Sequence, residues 1–326
     1  MTSSRSSRRN LGGRQGPMGG PVILVCDQIH DDGVKVLMEA GYIVDLRTAI
    51  TASKLIEVVG GFDALVVRSR TKVTRCVLEA GKRLKVIGRA GVGLDNIDLV
   101  AAKRLEIIVV NSPEGPSNAV AELVMGLMFS LARRIPEADA SMKKGEWIKG
   151  RLTGIELKGK TIGIIGFGRI GNQIAKKARA LELSVLVYDV SFEKVMQSID
   201  EAGAEAVTLD ELLRSSDFIT VHVPLLPQTK YMIGADEIST MKDGVYLINA
   251  ARGGVINEEA LKEALLTGKL AGVALDVYEE EPPRDQSLIG LSNVVSLPHI
   301  GAATVEAQRT NSIIVAEKLI KILGQD

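Results

Sequence analysis

Residues 161–189, TIGIIGFGRIGNQIAKKARALELSVLVYD, constrain the fold more than any other stretch of the chain. A short apolar run rich in β-branched residues (161–165) leads straight into Gly166-Phe167-Gly168-Arg169-Ile170-Gly171. Ile170, Ile174, Ala175, Ala178 and Leu181 then recur at helical spacing. A second apolar run, 184–188, ends at Asp189. The order of strand, glycine turn, helix, strand and acid is what gives three spaced glycines a meaning. Gly166 permits the tight turn, Gly168 lets the backbone approach a pyrophosphate, and Gly171 lets the helix pack on the strand. Unpaired N–H groups and the positive dipole end at the helix start favour phosphates. Asp189 follows the glycines by about 20 residues, where an acid accepts from ribose hydroxyls and repels a 2′-phosphate. The pattern points to NAD rather than NADP.

The rest of the chain repeats this alternation. VILVC (22–26), GYIVDL (41–46), FDALVVRS (62–69), LKVIGRA (84–90) and EIIVVNS (106–112) read as strands. Helical patterns at 33–40, 53–59, 73–80 and 94–104 separate them. After 161–189, strands are expected at 204–209, 217–223, 244–250, 272–278 and 293–298, with helices at 191–203, 210–216, 258–267 and 304–323. Alternation at this spacing predicts an α/β fold of two doubly wound parallel sheets, with ligands beyond the carboxyl ends of the strands. A long apolar helix from about 119 to 133 follows the Pro113, Gly115 and Pro116 breakers and reads as a crossing between domains. Residues 135–158, which hold the single tryptophan, Trp147, read either as an arm on a partner subunit or as an intrachain cover.

Composition narrows the function. Forty basic and forty acidic residues cancel, so no basic excess suggests nucleic acid, and 3% aromatic residues are too few for base-stacking platforms. No apolar run is long enough to span a membrane. Two cysteines, Cys26 and Cys76, form no CxxC and no ligand cluster; buried free thiols in a reducing compartment are expected, and no metal. Residues 1–20 carry several arginines, no acid and many Ser and Gly, a composition expected to be disordered.

Chemically marked residues fall at predicted strand ends. Arg68, Ser69, Arg70, Thr71 and Lys72 close the third strand, and Gly88-Arg89-Ala90-Gly91-Val92-Gly93 closes the fourth. Taken singly, each reads first as solvated charge or a helix-entry turn; side by side they make a carboxylate or phosphate site. In the second half, Arg252, Glu281 and His299 follow three strands in succession. Hydride transfer to a carbonyl leaves an alkoxide that needs a proton, which suits a histidine. A carboxylate fixes its tautomer, and an arginine grips a substrate carboxylate. Together they match reversible oxidation of a 2-hydroxy acid; a structural histidine, a surface arginine and a solvated acidic loop are the alternative readings. His222, also at a strand end, reads as a wall on the cofactor side or as having no role.

In this order, GIIGFGRIG, HVPLLPQT, INAARGGVINE, ALDVYEEEPP and SLPHIGA closely resemble the NAD-dependent D-isomer-specific 2-hydroxyacid dehydrogenases, over residues 21–326. VVRSRTKV and GRAGVGLDNID are most similar to members that act on a phosphorylated 2-hydroxy acid. The resemblance implies a Rossmann NAD-binding domain (115–300) and a flavodoxin-like substrate domain (21–114 plus 301–326), with a cleft that closes between them. It implies that Arg252 binds the substrate carboxylate, Glu281 supports the histidine and His299 is the general acid/base. Arg169, Ile170, Asp189, Pro224, Thr229, Ala250, Asp276 and Gly301 would contact NAD beside the glycines. Arg68, Ser69, Arg89, Val92 and Gly93 would contact the substrate. A cytoplasmic homodimer or dimer of dimers, joined through the nucleotide domain, is the implied assembly. Relatives often carry Asn where Pro116 stands, so Ser117 or Asn118 is the candidate replacement contact. The chain ends soon after the second domain, and a form without a regulatory domain is expected. Two other readings remain: a reductase of unphosphorylated 2-oxo acids on the same machinery, and a non-enzymatic NAD-sensing binding protein.

Overall fold

The structure, a computed structural model, describes residues 20–324. The expected disordered tail, 1–20, lies outside the described residues except for Gly20. The chain divides into one unit of residues 1–113 and 308–326 and another of residues 114–307.

The first unit runs β1 (Val22–Val25), α1 (Asp31–Glu39), β2 (Ile43–Leu46), α2 (Ala52–Val58), β3 (Ala64–Val67), α3 (Arg75–Ala80), β4 (Val86–Arg89), α4 (Leu99–Arg104) and β5 (Ile108–Asn111). Its strands are all parallel, in the order β2-β1-β3-β4-β5. Parallel neighbours need a crossover, and the helices supply it while covering both faces. Leu24, Leu65, Val67 and Ile87 pack on one face; Ile23, Val25, Ala64, Val66 and Val86 pack on the other.

The second unit opens with α5 (Ser117–Ala132) and α6 (Ile135–Lys143). It continues through β6 (Thr161–Ile165), α7 (Arg169–Ala180), β7 (Ser184–Tyr188), α8 (Phe192–Glu201), β8 (Glu205–Ala206), α9 (Leu209–Ser215) and β9 (Phe218–Val221). Then come α10 (Ala235–Thr240), β10 (Val245–Asn249), α11 (Glu258–Leu266), β11 (Leu270–Leu275) and β12 (Val294–Ser296). The parallel sheet has the order β12-β11-β10-β9-β6-β7-β8. The chain thus starts this sheet at β6, winds outward through β7 and β8, and returns to the other side at β9. That reversal is the switch point where doubly wound sheets bind ligands. Finally α12 (Val305–Leu323) enters the first unit, where Val315, Ala316 and Leu319 are buried. A Cβ on Gly88 of β4 would lie 2.4 Å from Val315 Cγ1, so glycine there allows the helix its close approach.

Two local expectations are revised, and one stretch gains a helix. The helix expected over 94–104 starts only at Leu99, because Asp98 caps it by accepting from Ala101 N, which leaves 94–98 as a turn. Cys26 is buried as expected, but Cys76 is exposed, since α3 turns Val77 and Leu78 inward instead. Residues 135–158 contain the helix α6, which starts after Arg134 in a left-handed conformation (φ 50).

Candidate active site and cofactor cradle

The cradle forms at the end of β6. Gly166 takes a positive φ of 94, and its N–H donates to Tyr188 O at 2.8 Å. A Cβ on Gly171 would lie 2.4 Å from Gly166 O, so the first turn of α7 packs directly on the strand end. Gly168 is the N-cap of α7 and offers no side-chain cap. A Cβ built on Gly168 meets nothing within 4 Å, so the N–H groups of Arg169 and Ile170 begin the helix beside open space. Unpaired helix-start N–H groups beside open space suit a diphosphate. Asp189 accepts from Phe167 N and Ser191 N, each at 2.7 Å, one on each oxygen. The carboxylate is thereby fixed at the end of β7, and each oxygen keeps a lone pair for a ribose hydroxyl. These residues fit an adenine dinucleotide.

The end of β9 meets this turn: a Cβ on Gly166 would lie 2.6 Å from His222 O. His222 Nε2 pairs with buried Thr220 Oγ1 at 2.8 Å. Burial pushes the His222 pKa down to about 3, so the ring is neutral. Its Nδ1 is buried without a hydrogen-bond partner among the described residues. Thr229 Oγ1 donates to Pro224 O at 2.5 Å and accepts from Leu226 N at 2.8 Å, closing the 224–229 loop into a tight turn.

Arg252, Glu281 and His299 assemble beyond β10, β11 and β12. Buried Asn249 brackets the turn after β10: its Nδ2 donates to Arg252 O at 3.0 Å and its Oδ1 accepts from Ala251 N at 3.1 Å. Ala250 lies buried inside that bracket. A Cβ on Gly253 would lie 1.8 Å from Tyr278 O, which presses the Arg252 turn against the start of the acidic loop. In that loop Glu281 Oε1 accepts from Tyr278 N at 3.3 Å, and a cis bond joins Glu281 to Pro282. Glu281 Oε2 meets His299 Nδ1 at 2.8 Å. His299 itself is left-handed (φ 55). Buried Asp276 holds the residues after it, accepting from Ile300 N and Gly301 N, both at 2.7 Å.

The electrostatics follow this geometry. The bond to Glu281 raises the His299 pKa above its ordinary value against a smaller effect of burial; the charges of Glu281 and Asp276 add to the rise, and Arg252 opposes it. Burial alone would raise the Glu281 pKa, but the His299 bond and charge hold it below the usual carboxylate range. Burial raises that of Asp276, against the two backbone N–H groups. An ionised Glu281 takes the proton-bearing Nδ1, so Nε2 is the nitrogen left for proton exchange.

The first-unit candidates lie on their own sheet. Arg68 NH1 donates to Gln28 O at 3.2 Å, and Ser69 is exposed. Arg70 turns back onto buried Asp27 at 2.9 Å and Cys26 O at 2.5 Å. A Cβ on Gly91 would lie 1.9 Å from Arg89 NH1, so the guanidinium folds over the glycine turn. Gly91 N donates to buried Ser112 Oγ at 2.8 Å, and Val92 O accepts from Asn111 Nδ2 at 2.5 Å; Gly93 completes the turn. Asn118, a candidate replacement contact, is engaged at both ends: its Nδ2 donates to Glu122 and its Oδ1 accepts from Lys177, each at 2.7 Å. Asn249, Asp27 and Asn96 were not singled out from sequence. Among the described residues no cluster of His, Cys, Asp or Glu suits a metal, and no helix is long and apolar enough to cross a membrane.

Residues 125–301 match the model of the D-isomer specific 2-hydroxyacid dehydrogenase, NAD binding domain. The chain belongs to this family, and its second unit is an NAD-binding Rossmann domain. It is 51% identical over 302 residues to a D-3-phosphoglycerate dehydrogenase of Methanocaldococcus jannaschii, covering 92% of this chain and 57% of that protein. The chain therefore spans little more than half the length of that relative. It is 45% identical to a hydroxypyruvate reductase of Thermotoga maritima, covering 92% of this chain and 97% of that protein. An NAD-dependent formate dehydrogenase from Staphylococcus aureus, solved in complex with NAD, superposes with a TM-score of 0.81 at 30% identity, covering 93% and 96% of the two chains.

Proposed function

We propose that this chain oxidises D-3-phosphoglycerate to 3-phosphohydroxypyruvate, the first step of serine biosynthesis. The hydrogen bond between His299 Nδ1 and Glu281 Oε2, with Arg252 at the neighbouring strand end, carries the reaction class. The relatives named for D-3-phosphoglycerate support the substrate. Bound NAD supplies the hydride acceptor. Arg252 grips the substrate carboxylate and orients C2. His299 Nε2 takes the hydroxyl proton as C2 is oxidised, and Glu281 stabilises the imidazolium that forms. Gly166, Gly168, Arg169, Ile170, Gly171 and Asp189 hold the diphosphate and ribose. His222, Pro224, Thr229, Ala250, Asp276 and Gly301 line the remaining cofactor path. Arg68, Ser69, Arg89, Val92 and Gly93 receive the substrate's anionic end. The assembly is a homodimer or dimer of dimers in the cytoplasm, where the free thiols Cys26 and Cys76 stay reduced.

The Thermotoga relative, matched over nearly its whole length, favours hydroxypyruvate reduction as the second reading. The direct test uses D-3-phosphoglycerate deuterated at C2. Deuterium-labelled NADH is expected; unlabelled NADH, or none, overturns the reading.

A further inference from the structure

The proposed reaction leaves Asp27 without a task, although this carboxylate is only 3% exposed. It lies just past β1, where its oxygens take four hydrogen bonds from one turn. Oδ2 accepts from Arg68 N at 2.6 Å and Thr71 N at 3.2 Å. Oδ1 accepts from Thr71 Oγ1 at 2.7 Å and Arg70 Nε at 2.9 Å. A buried carboxylate is tolerated only when so completely bonded. Asn96 meets the same turn with the opposite polarity: its Nδ2 donates to Arg68 O at 2.7 Å and Thr71 O at 2.6 Å. Backbone bonds lock Asn96 in turn, with Val73 N donating to Asn96 O at 2.8 Å and Asp98 N to Val73 O at 3.0 Å.

Two side chains thus satisfy the N–H and C=O groups at both ends of a turn that belongs to no helix or strand. Arg70 is tied to Asp27 and Cys26 O although its side chain stays half exposed, Arg68 NH1 donates to Gln28 O at 3.2 Å, and Ser69 is exposed at the tip between them.

We infer that Asp27 and Asn96 are positioning residues for substrate recognition: they preset the 68–71 turn so that Arg68 and Ser69 meet the anionic end of the substrate. This rests on the reading above that the turn touches substrate. A loop fixed beforehand loses less freedom on binding, so the clamp acts on affinity for the hydroxy acid and not on the proton transfer.

The sign of the effect distinguishes this role. Removing a carboxylate beside two arginines would, by charge alone, tighten binding of an anion. The clamp predicts the opposite. In Asp27→Asn the KM for D-3-phosphoglycerate should rise about tenfold, with kcat and the NADH dissociation constant within about twofold of the parent. Thr71→Val, which keeps the shape and removes one bond to Asp27, should raise KM about threefold; it decides the matter if Asp27→Asn does not fold. Arg68→Ala separates the two layers of the argument. If Arg68→Ala raises KM while Asp27→Asn and Thr71→Val lower it or leave it unchanged, the clamp is overturned and the substrate turn stands. If Arg68→Ala leaves KM unchanged, the turn does not bind substrate and both readings fall. A parallel loss of kcat and NADH binding in Asp27→Asn would make Asp27 structural only and overturn the inference.

Discussion

In the proposed reaction His299 carries the chemistry through one nitrogen, and its environment fixes how that reaction responds to pH. Oxidation needs the neutral ring, so kcat/KM for the hydroxy acid should fall as pH drops through the His299 pKa. That pKa is raised by Glu281, so the fall begins above the ordinary histidine value of 6.5. Reduction needs the protonated ring and should fall as pH rises through the same value. Glu281→Gln removes the largest raising contribution and leaves burial and Arg252 to oppose protonation, so both limbs should move to lower pH. A pH–rate profile of that variant with an unmoved midpoint would contradict the pairing. His299→Ala should lower kcat by about 10²–10⁴ while leaving NADH binding intact, because the cradle sits on the β6–α7 turn. Fluorescence titration with NADH checks the second half; loss of both together would mark a structural histidine.

At the scale of elements, the β6–α7 contact is the tightest point of the cradle. Gly171→Ala would place a methyl 2.4 Å from Gly166 O and should cost about 1–3 kcal/mol of stability as well as weakening NADH binding. Denaturant unfolding reads the first, and an unchanged midpoint would show that the helix can slide away. Most elements were legible in the sequence. Among the described residues, the strands lie within the apolar runs expected to hold them, save β11, which starts earlier, at Leu270. The six-residue α10 was not legible, being too short to display a period, nor was α6, which starts after the left-handed Arg134. The glycine turn was legible because its working parts are consecutive. Asn249 was not, because the task of its side chain, bracketing Ala251 and Arg252, is set by how β10 ends. Asp27 and Asn96 were not either, since their partners lie 25 to 44 residues away along the chain.

For the whole molecule, the exposed apolar side chains of the second unit support the proposed assembly. Phe129, Ile135 and Met142 are exposed on or beside α5 and α6, and Trp147 is 78% exposed. Exposed aromatic residues commonly anchor interfaces. Sedimentation should show a dimer or tetramer, and Trp147→Asp should shift it toward monomer. As the only tryptophan, Trp147 also reports on itself: its emission should red-shift on dilution as subunits separate. An emission maximum already that of free tryptophan at high concentration would place the interface elsewhere.

The proposed substrate is a phosphorylated 2-hydroxy acid, and its phosphate is best weighed by the ratio of kcat/KM for D-3-phosphoglycerate to that for D-glycerate with NAD, and for phosphohydroxypyruvate to hydroxypyruvate with NADH. A preference of at least about a hundredfold for the phosphorylated partner is expected in both directions, the size seen when a site built around charged hydrogen bonds loses its ligand group. Equal turnover of both pairs, or turnover of hydroxypyruvate alone, would contradict it while leaving the family, the NAD cradle and the His299–Glu281 pair in place.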